Sequence, residues 1–342
     1  MTTIRDVAKV AECSPATVSL VINGSSRPIS IATRLRVLKT IRELGYRPTV
    51  AEETKISKKT RTIGVLYEAY KTYPESFLYF RPIVDGLFWS VQDQSYSLLY
   101  FGRTRWTNVL RSLRQHFDGR CDGLVLVAPL EVTTLISEVK ARGIPIAVLG
   151  ACSDEPEVSS VNVDDEAGAR MAIQHLYDKG HRRIAFFAGN SEHETTIGRL
   201  KGFNQAIGEL GLDSAQCPAF AGDYSWSSGH ERARKLAADV PRSKWPSAIF
   251  CGGDTVALGA LQGFSDAGVV VPDDISMIGF DGLPSTAASE PPLTTISQPL
   301  MEMAKQACDL VIAQVEHPGE PVVKIVKKPV IVERQSVRKL EG

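Results

Sequence analysis

No apolar run in the chain is long enough to span a bilayer, and its opening, MTTIRDVAKV, carries charge where a secretory leader needs an apolar core. Both absences point to a cytoplasmic protein with no membrane partner. The six cysteines (Cys13, Cys121, Cys152, Cys217, Cys251 and Cys308) are scattered and form no CxxC, which excludes a zinc motif or a disulfide framework as the organising device. Each reads as a small buried side chain. His116, His175, His181, His193, His230 and His317 lack ligand spacing, and His193-Glu194 is followed by no second histidine one helical turn on. No metal is expected. There is no GxGxxG, no GxxxxGK and no GxSxG, so the chain shows neither a nucleotide cradle nor a nucleophile elbow. An enzyme is therefore not expected, nor a cofactor.

Net charge is absent too, with 39 Lys and Arg against 39 Asp and Glu over 342 residues. The balance hides an asymmetry. Residues 1–62 hold twelve basic and five acidic side chains, a sum of +7, which leaves −7 on the remainder. A basic head on an acidic body is an electrostatic footprint of nucleic-acid binding.

What is present begins at Thr3, with TIRDVAKVAECSPATVSLVING reading as two short helices and a tight turn. Thr3 is a hydroxyl N-cap with Asp6 in the first turn, and Ile4, Val7, Ala8 and Ala11 follow at helical spacing. Glu12-Cys13 makes the turn. Ser14 caps a second helix that opens on Pro15, carries Val18, Val21 and Ile22 inward, and ends at Asn23-Gly24. Small and polar residues crowd its N-terminal half, a face suited to close entry into a major groove. On this stretch alone, a helical hairpin packed against something else stays open. A third helix is capped by Ser30, striped by Ile31, Leu35, Leu38, Ile41 and Leu44, and stopped at Gly45. Arg34, Arg36, Lys39 and Arg42 fall off that stripe, free for phosphates or solvent. Residues 49–61, TVAEETKISKKTR, lack apolar pattern and read as a linker.

From Thr62 strand-length apolar runs alternate with amphipathic stretches. Strands are expected at Ile63–Tyr67, Ser97–Phe101, Gly123–Ala128, Ile146–Leu149, Ser160–Val163, Ile184–Ala188, Pro218–Ala221, Ala248–Cys251 and Ser276–Phe280. Helices are expected at Pro82–Gln94, Val132–Ala141, Glu166–Lys179, Thr196–Leu210, Ser227–Asp239 and Val256–Ala267. Strands apolar on both faces between helices imply parallel α/β sheets, and their number implies two Rossmann-like lobes. A ligand belongs beyond the carboxyl ends of such strands, in the cleft between lobes.

The head sequence, with ISIATRLRVLKTIRELGYRP after it, resembles the DNA-binding head of lactose-repressor-type (LacI/GalR) transcription regulators. The body resembles that family's effector domain through RTIGV, RCDGLVLVAP, SVNVDDEAGARMAIQHLYDKGHRRIAFFAG, RLKGFNQAI, PSAIFCGGDTVALGALQGFSDAGVVVPDDISMIGFDGLP and PPLTTISQP. The resemblance covers essentially the whole chain. It implies an α/β protein with a three-helix helix-turn-helix headpiece (1–48), a hinge (49–61), and an effector and dimerisation domain (62–342) of periplasmic-binding-protein type. Lobe boundaries are expected at about 62–161 plus 291–320 for the first lobe and about 162–290 plus 321–338 for the second. It also implies a repressor that works as a homodimer or a tetramer of dimers. Its partners would be a palindromic operator and a small effector, a sugar, nucleoside or similar metabolite, with a carbohydrate expected.

Carried over residue by residue, the resemblance assigns phosphate contacts to Thr3, Ser14, Ser19 and Asn23, and base reading to Pro15, Ala16, Thr17 and Leu20. Ala16 and Leu20 are apolar where some relatives carry Gln and Arg, which shifts readout toward thymine methyls and shape. The effector set is Arg199, Asp254, Asp281, Thr195, Tyr224 and Gln298, with the aromatic pair Tyr79 and Phe80 from the other lobe. Asp254 reads equally as a helix cap, because VALGAL follows it. Two departures stand out. The hinge reads Pro48-Thr49-Val50-Ala51-Glu52-Glu53-Thr54-Lys55, so Lys55 occupies the position of the family's minor-groove leucine and two acids replace Ala-Arg. A metabolite sensor with weakened operator binding is the alternative this raises. Gly253 stands where some sugar-binding relatives have Asn.

Overall fold

The computed structural model describes residues 3–22, 29–44, 46, 59–67, 76–101, 119–129, 136, 139, 143–151 and 158–340. The chain divides into two compact units, Met1–Lys58 and Lys59–Gly342.

The first unit contains α1 (Ile4–Val10), α2 (Pro15–Ile22) and α3 (Ile31–Glu43). Thr3 and Asp6 form a capping box: the Asp6 amide donates to Thr3 Oγ1 at 3.3 Å and the Thr3 amide donates to Asp6 Oδ2 at 2.8 Å. Ser14 Oγ accepts from the Thr17 amide at 3.0 Å, and Ser30 Oγ from the Thr33 amide at 3.1 Å. Both expected caps are therefore formed. Val7, Ala8, Ala11, Val18, Val21 and Val37 make the core. The expected stripe of α3 is corrected here. Leu35 is 61% exposed and Leu38 46%, while Val37 and Thr40 are buried and Ile41 and Leu44 pack against the core. The sequence carries two apolar registers on α3, and contact with α1 and α2 selects the one through Val37. Arg36 is not a loose surface cation, because its Nε donates to the Ala11 carbonyl at 2.8 Å, at the C-terminal end of α1. The helix stops expected at Asn23-Gly24 and Gly45 lie outside the described residues, as do the side chains of Ile22, Ile31 and Arg42.

The second unit holds two six-stranded sheets. The first is built from β1 (Thr62–Tyr67), β2 (Ser97–Phe101), β3 (Gly123–Val127), β4 (Ile146–Leu149), β5 (Ser159–Val163) and β11 (Lys324–Lys327), in the order β11-β5-β4-β3-β1-β2, all parallel. The second comprises β6 (Ile184–Phe187), β7 (Ala219–Phe220), β8 (Ala248–Cys251), β9 (Ser276–Asp281), β10 (Thr294–Ser297) and β12 (Val330–Val332), in the order β12-β10-β9-β8-β6-β7. Only its β10–β12 pair is antiparallel among the described residues. Helix α4 (Ser76–Asp93) serves the first sheet; α5 (Asp165–Asp178), α6 (Glu194–Glu209), α7 (Trp226–Asp239) and α8 (Asp254–Asp266) serve the second. Helix α9 (Leu300–Glu316) follows β10 yet packs on β3, β4, β5 and α4 of the first lobe.

The chain thus crosses between lobes near Asp164, at Gln298-Pro299 and at Lys328-Pro329. This corrects the expected boundaries: β10, within 291–320, lies in the second sheet, and β11, within 321–338, lies in the first. Strands of four residues carry no periodic signal of lobe membership, and only pairing with β5 or β9 decides it. Helix α4 begins at Ser76 with Pro82 inside it, not at Pro82 as expected. Of the helix expected at Val132–Ala141, the described residues Ile136 and Val139 are helical and buried.

Candidate effector site and DNA-reading surface

At the carboxyl ends of β5, β6, β8 and β9, glycines let elements approach closely enough to build a charged cluster. A side chain at Gly202 would lie 2.3 Å from the Glu166 carbonyl, and one at Gly198 would lie 3.0 Å from Asp165 Cβ. Two bare positions on one face of α6 therefore seat it against the start of α5 and lay Arg199, between them, on Asp165. Arg199 is 3% exposed. Its Nε donates to Asp165 Oδ1 at 2.8 Å, its Nη1 donates to the Gly252 carbonyl, and Nη1 lies 3.7 Å from Asp281 Oδ1. The guanidinium carbon stands 3.7 Å from the centroid of the Phe280 ring.

Asp281 ends β9 with φ +117°, a left-handed backbone that disfavours a side chain and costs on the order of 1–3 kcal/mol. That backbone turns the carboxylate inward. Oδ1 accepts from Gln298 Nε2 at 2.7 Å, and Oδ2 accepts from the Asp254 amide at 3.3 Å, closing the N-terminus of α8. Asp254 itself points elsewhere: Oδ1 accepts from Thr295 Oγ1 at 2.6 Å and Oδ2 from the Leu283 amide at 2.8 Å. Gly279 makes room, since a Cβ there would stand 2.2 Å from Asp254 Oδ1. The even choice between cap and ligand resolves into a third role: Asp254 ties α8 to β10 and to the turn after β9.

Burial opposes every charge in this cluster. It pushes Asp281 up to about 6 against the pull of Arg199, raises Asp165 against the same pull, and raises Asp254 well above the carboxylate range with Asp281 adding to it. Burial also works against the Arg199 charge, but Asp165, Tyr224 and Asp281 outweigh it and hold the guanidinium firmly protonated. Tyr224 donates to or accepts from Thr196 Oγ1 at 2.8 Å and Thr195 Oγ1 at 3.2 Å. Tyr79, from the first lobe, is raised by burial and then by the Asp281 charge. Phe80 packs on Tyr67, with ring centroids 3.6 Å apart, and meets Tyr79 edge-on at 5.1 Å.

Six of the eight expected effector residues thus fall around one centre, with Asp254 one layer behind and Phe80 packed on Tyr79 and Tyr67. The residues that sequence reasoning missed are Asp165, which orients Arg199, Asn162, which hydrogen-bonds Asp165, and Thr295, which holds Asp254. Asp165 had a legible signal, an acid directly after a strand. Thr295 had none, because β10 was not foreseen.

In the first unit, Thr3, Ser14, Pro15 and Ala16 are exposed, and Thr17, Ser19 and Leu20 are half-buried. The Thr3 hydroxyl donates to Asp6 Oδ2 at 2.7 Å, and the Ser14 hydroxyl also meets Thr17 Oγ1 at 2.8 Å. Asn23 and Lys55 lie outside the described residues.

Comparison with known proteins settles the family. Residues 3–49 match the bacterial regulatory proteins of the lacI family, and residues 173–337 match the periplasmic binding protein-like domain. The HTH-type transcriptional repressor PurR of Photobacterium profundum is 32% identical over 344 residues, covering 99% of this chain and 100% of the relative. The chain belongs to the lacI family of bacterial regulatory proteins. It is a transcriptional regulator with a DNA-binding and a ligand-binding domain, and its relatives are regulators rather than enzymes. The transcriptional regulator CelR in its cellobiose complex superposes with a TM-score of 0.72 at 27% identity, covering 98% of this chain and 100% of that one. The lac repressor bound to ONPG superposes at 0.77 with 25% identity, covering 98% and 99%. Among the described residues no helix is long and apolar enough to cross a membrane.

Proposed function

We propose that this lacI-family regulator is a cytoplasmic repressor whose operator affinity is set by a sugar or sugar derivative held at Arg199 between the lobes. The observation that carries the reading is the buried Arg199 fork, fixed by Asp165 and the Gly252 carbonyl beside Asp281, Tyr224 and Tyr79. Carboxylate oxygens accept from hydroxyls, guanidinium N–H groups donate to them, and aromatic faces cover the apolar side of a ring. CelR, solved with cellobiose at 27% identity, supports the sugar class. The chain crosses between lobes at Asp164 and Gln298-Pro299, beside Asp165 and Gln298 of the cluster. A ligand there engages the segments on which the lobes turn, and needs only to prefer one of two arrangements to change DNA affinity.

On the DNA side, Pro15, Ala16, Thr17 and Leu20 read bases, and Thr3, Ser14, Ser19 and Asn23 contact phosphates. Two headpieces of a homodimer, or of a dimer within a tetramer, then meet a palindromic site. The proposed bounds are 1–48 for the headpiece and 49–61 for the hinge, with the effector domain following.

Selection from random duplexes by the purified protein at two salt concentrations tests this reading. A palindromic motif with a steep salt dependence is the expected result. Arg199→Ala should abolish release or tightening by the effector while the folded protein keeps its motif; an unchanged response removes Arg199 from the site. The Glu52-Glu53-Lys55 hinge favours a second reading, a sensor with weakened operator binding. Lys55→Leu separates the two: tighter operator binding shows that a missing wedge limits affinity, and weaker binding gives the lysine its own minor-groove role.

A further inference from the structure

We propose that α2 recognises operator base pairs through their C5-methyl groups, so that methylation of the bases itself controls binding: 5-methylcytosine serves in place of thymine, and uracil does not. This rests on the DNA-reading role of α2 proposed above and deepens it, from which residues face the bases to which chemical group they detect.

The headpiece core fixes which side of α2 looks outward. Val18 is fully buried and Val21 is 5% exposed, and both belong to the core that α2 shares with α1 and α3. A helix turns by about 100° per residue, so Ala16 and Leu20, four positions apart, share the opposite side. Ala16 is exposed. Leu20 is half-buried, yet it is neither in that core nor among the described side chains packed against it. The outward centre of the helix is thus a methyl and an isobutyl group, with the exposed Pro15 beside them in the first turn. The hydroxyls at the start of α2 are engaged within the turn. Ser14 Oγ accepts from the Thr17 amide at 3.0 Å and shares a hydrogen bond with Thr17 Oγ1 at 2.8 Å.

A side chain tells base pairs apart in the major groove by bonding to their polar edges or by touching a methyl group. Ala16 and Leu20 have neither donor nor acceptor, so only the second way is open to them. Thymine carries that methyl at C5, and so does 5-methylcytosine; cytosine and uracil lack it. Uracil pairs with adenine as thymine does and keeps the O4 acceptor, so exchanging the two alters the methyl alone. To an apolar side chain this exchange is a loss of buried hydrocarbon, roughly fourfold in affinity for each methyl covered. Arginine or glutamine at these positions would bond instead to the guanine or adenine edge, which cytosine methylation leaves unchanged.

The test is a binding titration of the full-length protein on the strongest duplex recovered by selection from random sequence. The thymines of each half-site are exchanged one at a time for deoxyuracil, and at one or more of them affinity should fall by about threefold or more. At the same position a C·G pair should also bind weakly, and methylating its cytosine at C5 should restore about threefold or more. Leu20→Ala or Ala16→Gly, each checked for fold by circular dichroism, should abolish the uracil penalty at one such position. Uracil tolerated throughout a selectively bound site overturns the proposal and leaves sequence reading by α2 in place. So does a 5-methylcytosine duplex that binds no better than its cytosine counterpart. A uracil penalty unchanged in both folded variants assigns it to duplex shape and overturns the proposal as well. Recovery of no motif overturns the reading role of α2 and this proposal together.

Discussion

Gly189 lies where no side chain fits: a Cβ on it would stand 2.2 Å from Tyr224 Cζ. The phenol end of the ring lies against this glycine and keeps its hydroxyl at Thr196. Gly189→Ala must displace the ring, so effector affinity should fall by roughly tenfold or more, with about 1–3 kcal/mol of stability lost. Calorimetric titration with a thermal melt checks it; wild-type affinity would show that Tyr224 does not line the site. Arg199 makes a different residue-scale prediction. Arg199→Ala leaves Asp165 and Asp281 buried without their cation, and about 3–5 kcal/mol of stability should be lost. Denaturant melts measure that loss, and the effector test on this variant must be run where it is folded. Arg199→Lys keeps the charge and loses the two-pronged fork, so it should be more stable than the alanine variant yet still impaired for ligand.

Helix α9 joins two functions. At its start, Gln298 binds Asp281, and the Leu300 amide donates to the Gln298 carbonyl at 2.9 Å. At its end, Glu316 pairs with Lys59 at 2.7 Å and Arg61 at 3.7 Å and accepts from the Tyr96 hydroxyl at 2.5 Å. Seventeen residues separate these ends by about 25 Å of rigid rod. Hydrogen bonds from Lys59 and Tyr96 hold the Glu316 carboxyl down at about 2, so it stays ionised at any physiological pH. Asp122 completes the grip, accepting from the amides of Thr60 and Arg61, each at 2.7 Å. The residues that leave the linker are thus fastened to the helix that touches the effector cluster. Asp122→Asn with Glu316→Gln should raise amide exchange at Thr60 and Arg61 at least tenfold and weaken the effector's influence on DNA binding, with effector affinity unchanged. Exchange mass spectrometry and paired titrations report both, and intact coupling in a protein with freed amides would discard the rod.

The stability of the whole molecule carries a pH signature from a group far from the site. His181 is fully buried, with Nε2 donating to the Arg338 carbonyl at 3.2 Å and Nδ1 meeting Ser247 Oγ at 3.0 Å. Burial pushes its pKa down to about 4 from 6.5. Between those values the unfolded chain binds the extra proton, so this stability is present above pH 6.5 and is lost as pH falls toward 4, by roughly 3 kcal/mol. Asp281 runs the other way. Its carboxyl is raised to about 6 from 3.8, so its contribution is full below 3.8 and is lost as pH rises through 6. His181→Gln isolates the first: the variant should be less stable at pH 7 and should lose less stability than wild type on acidification to pH 4. Parallel pH profiles for the two proteins would assign the acid response elsewhere.

The sequence by itself determined the headpiece caps, since Thr3, Ser14 and Ser30 act on amides within three residues, and local hydrogen bonds need no tertiary partner. It determined the alternation of strands and helices in the same way, because apolar runs such as Gly123–Val127 bury both faces wherever they fold. Residues named by likeness, Arg199, Asp281 and Gln298 above all, also meet around one centre. Tertiary structure decided the rest. Contact with α1 and α2 chose Val37 over Leu35 as the inner face of α3, since both registers have helical spacing. Pairing with β9 and β5 assigned β10 and β11 to their sheets, which strands of four residues cannot announce. Packing across Gly198 and Gly202 brought Asp165 to Arg199 over 34 residues of chain, and that contact turns an anion-seeking arginine into one already paired.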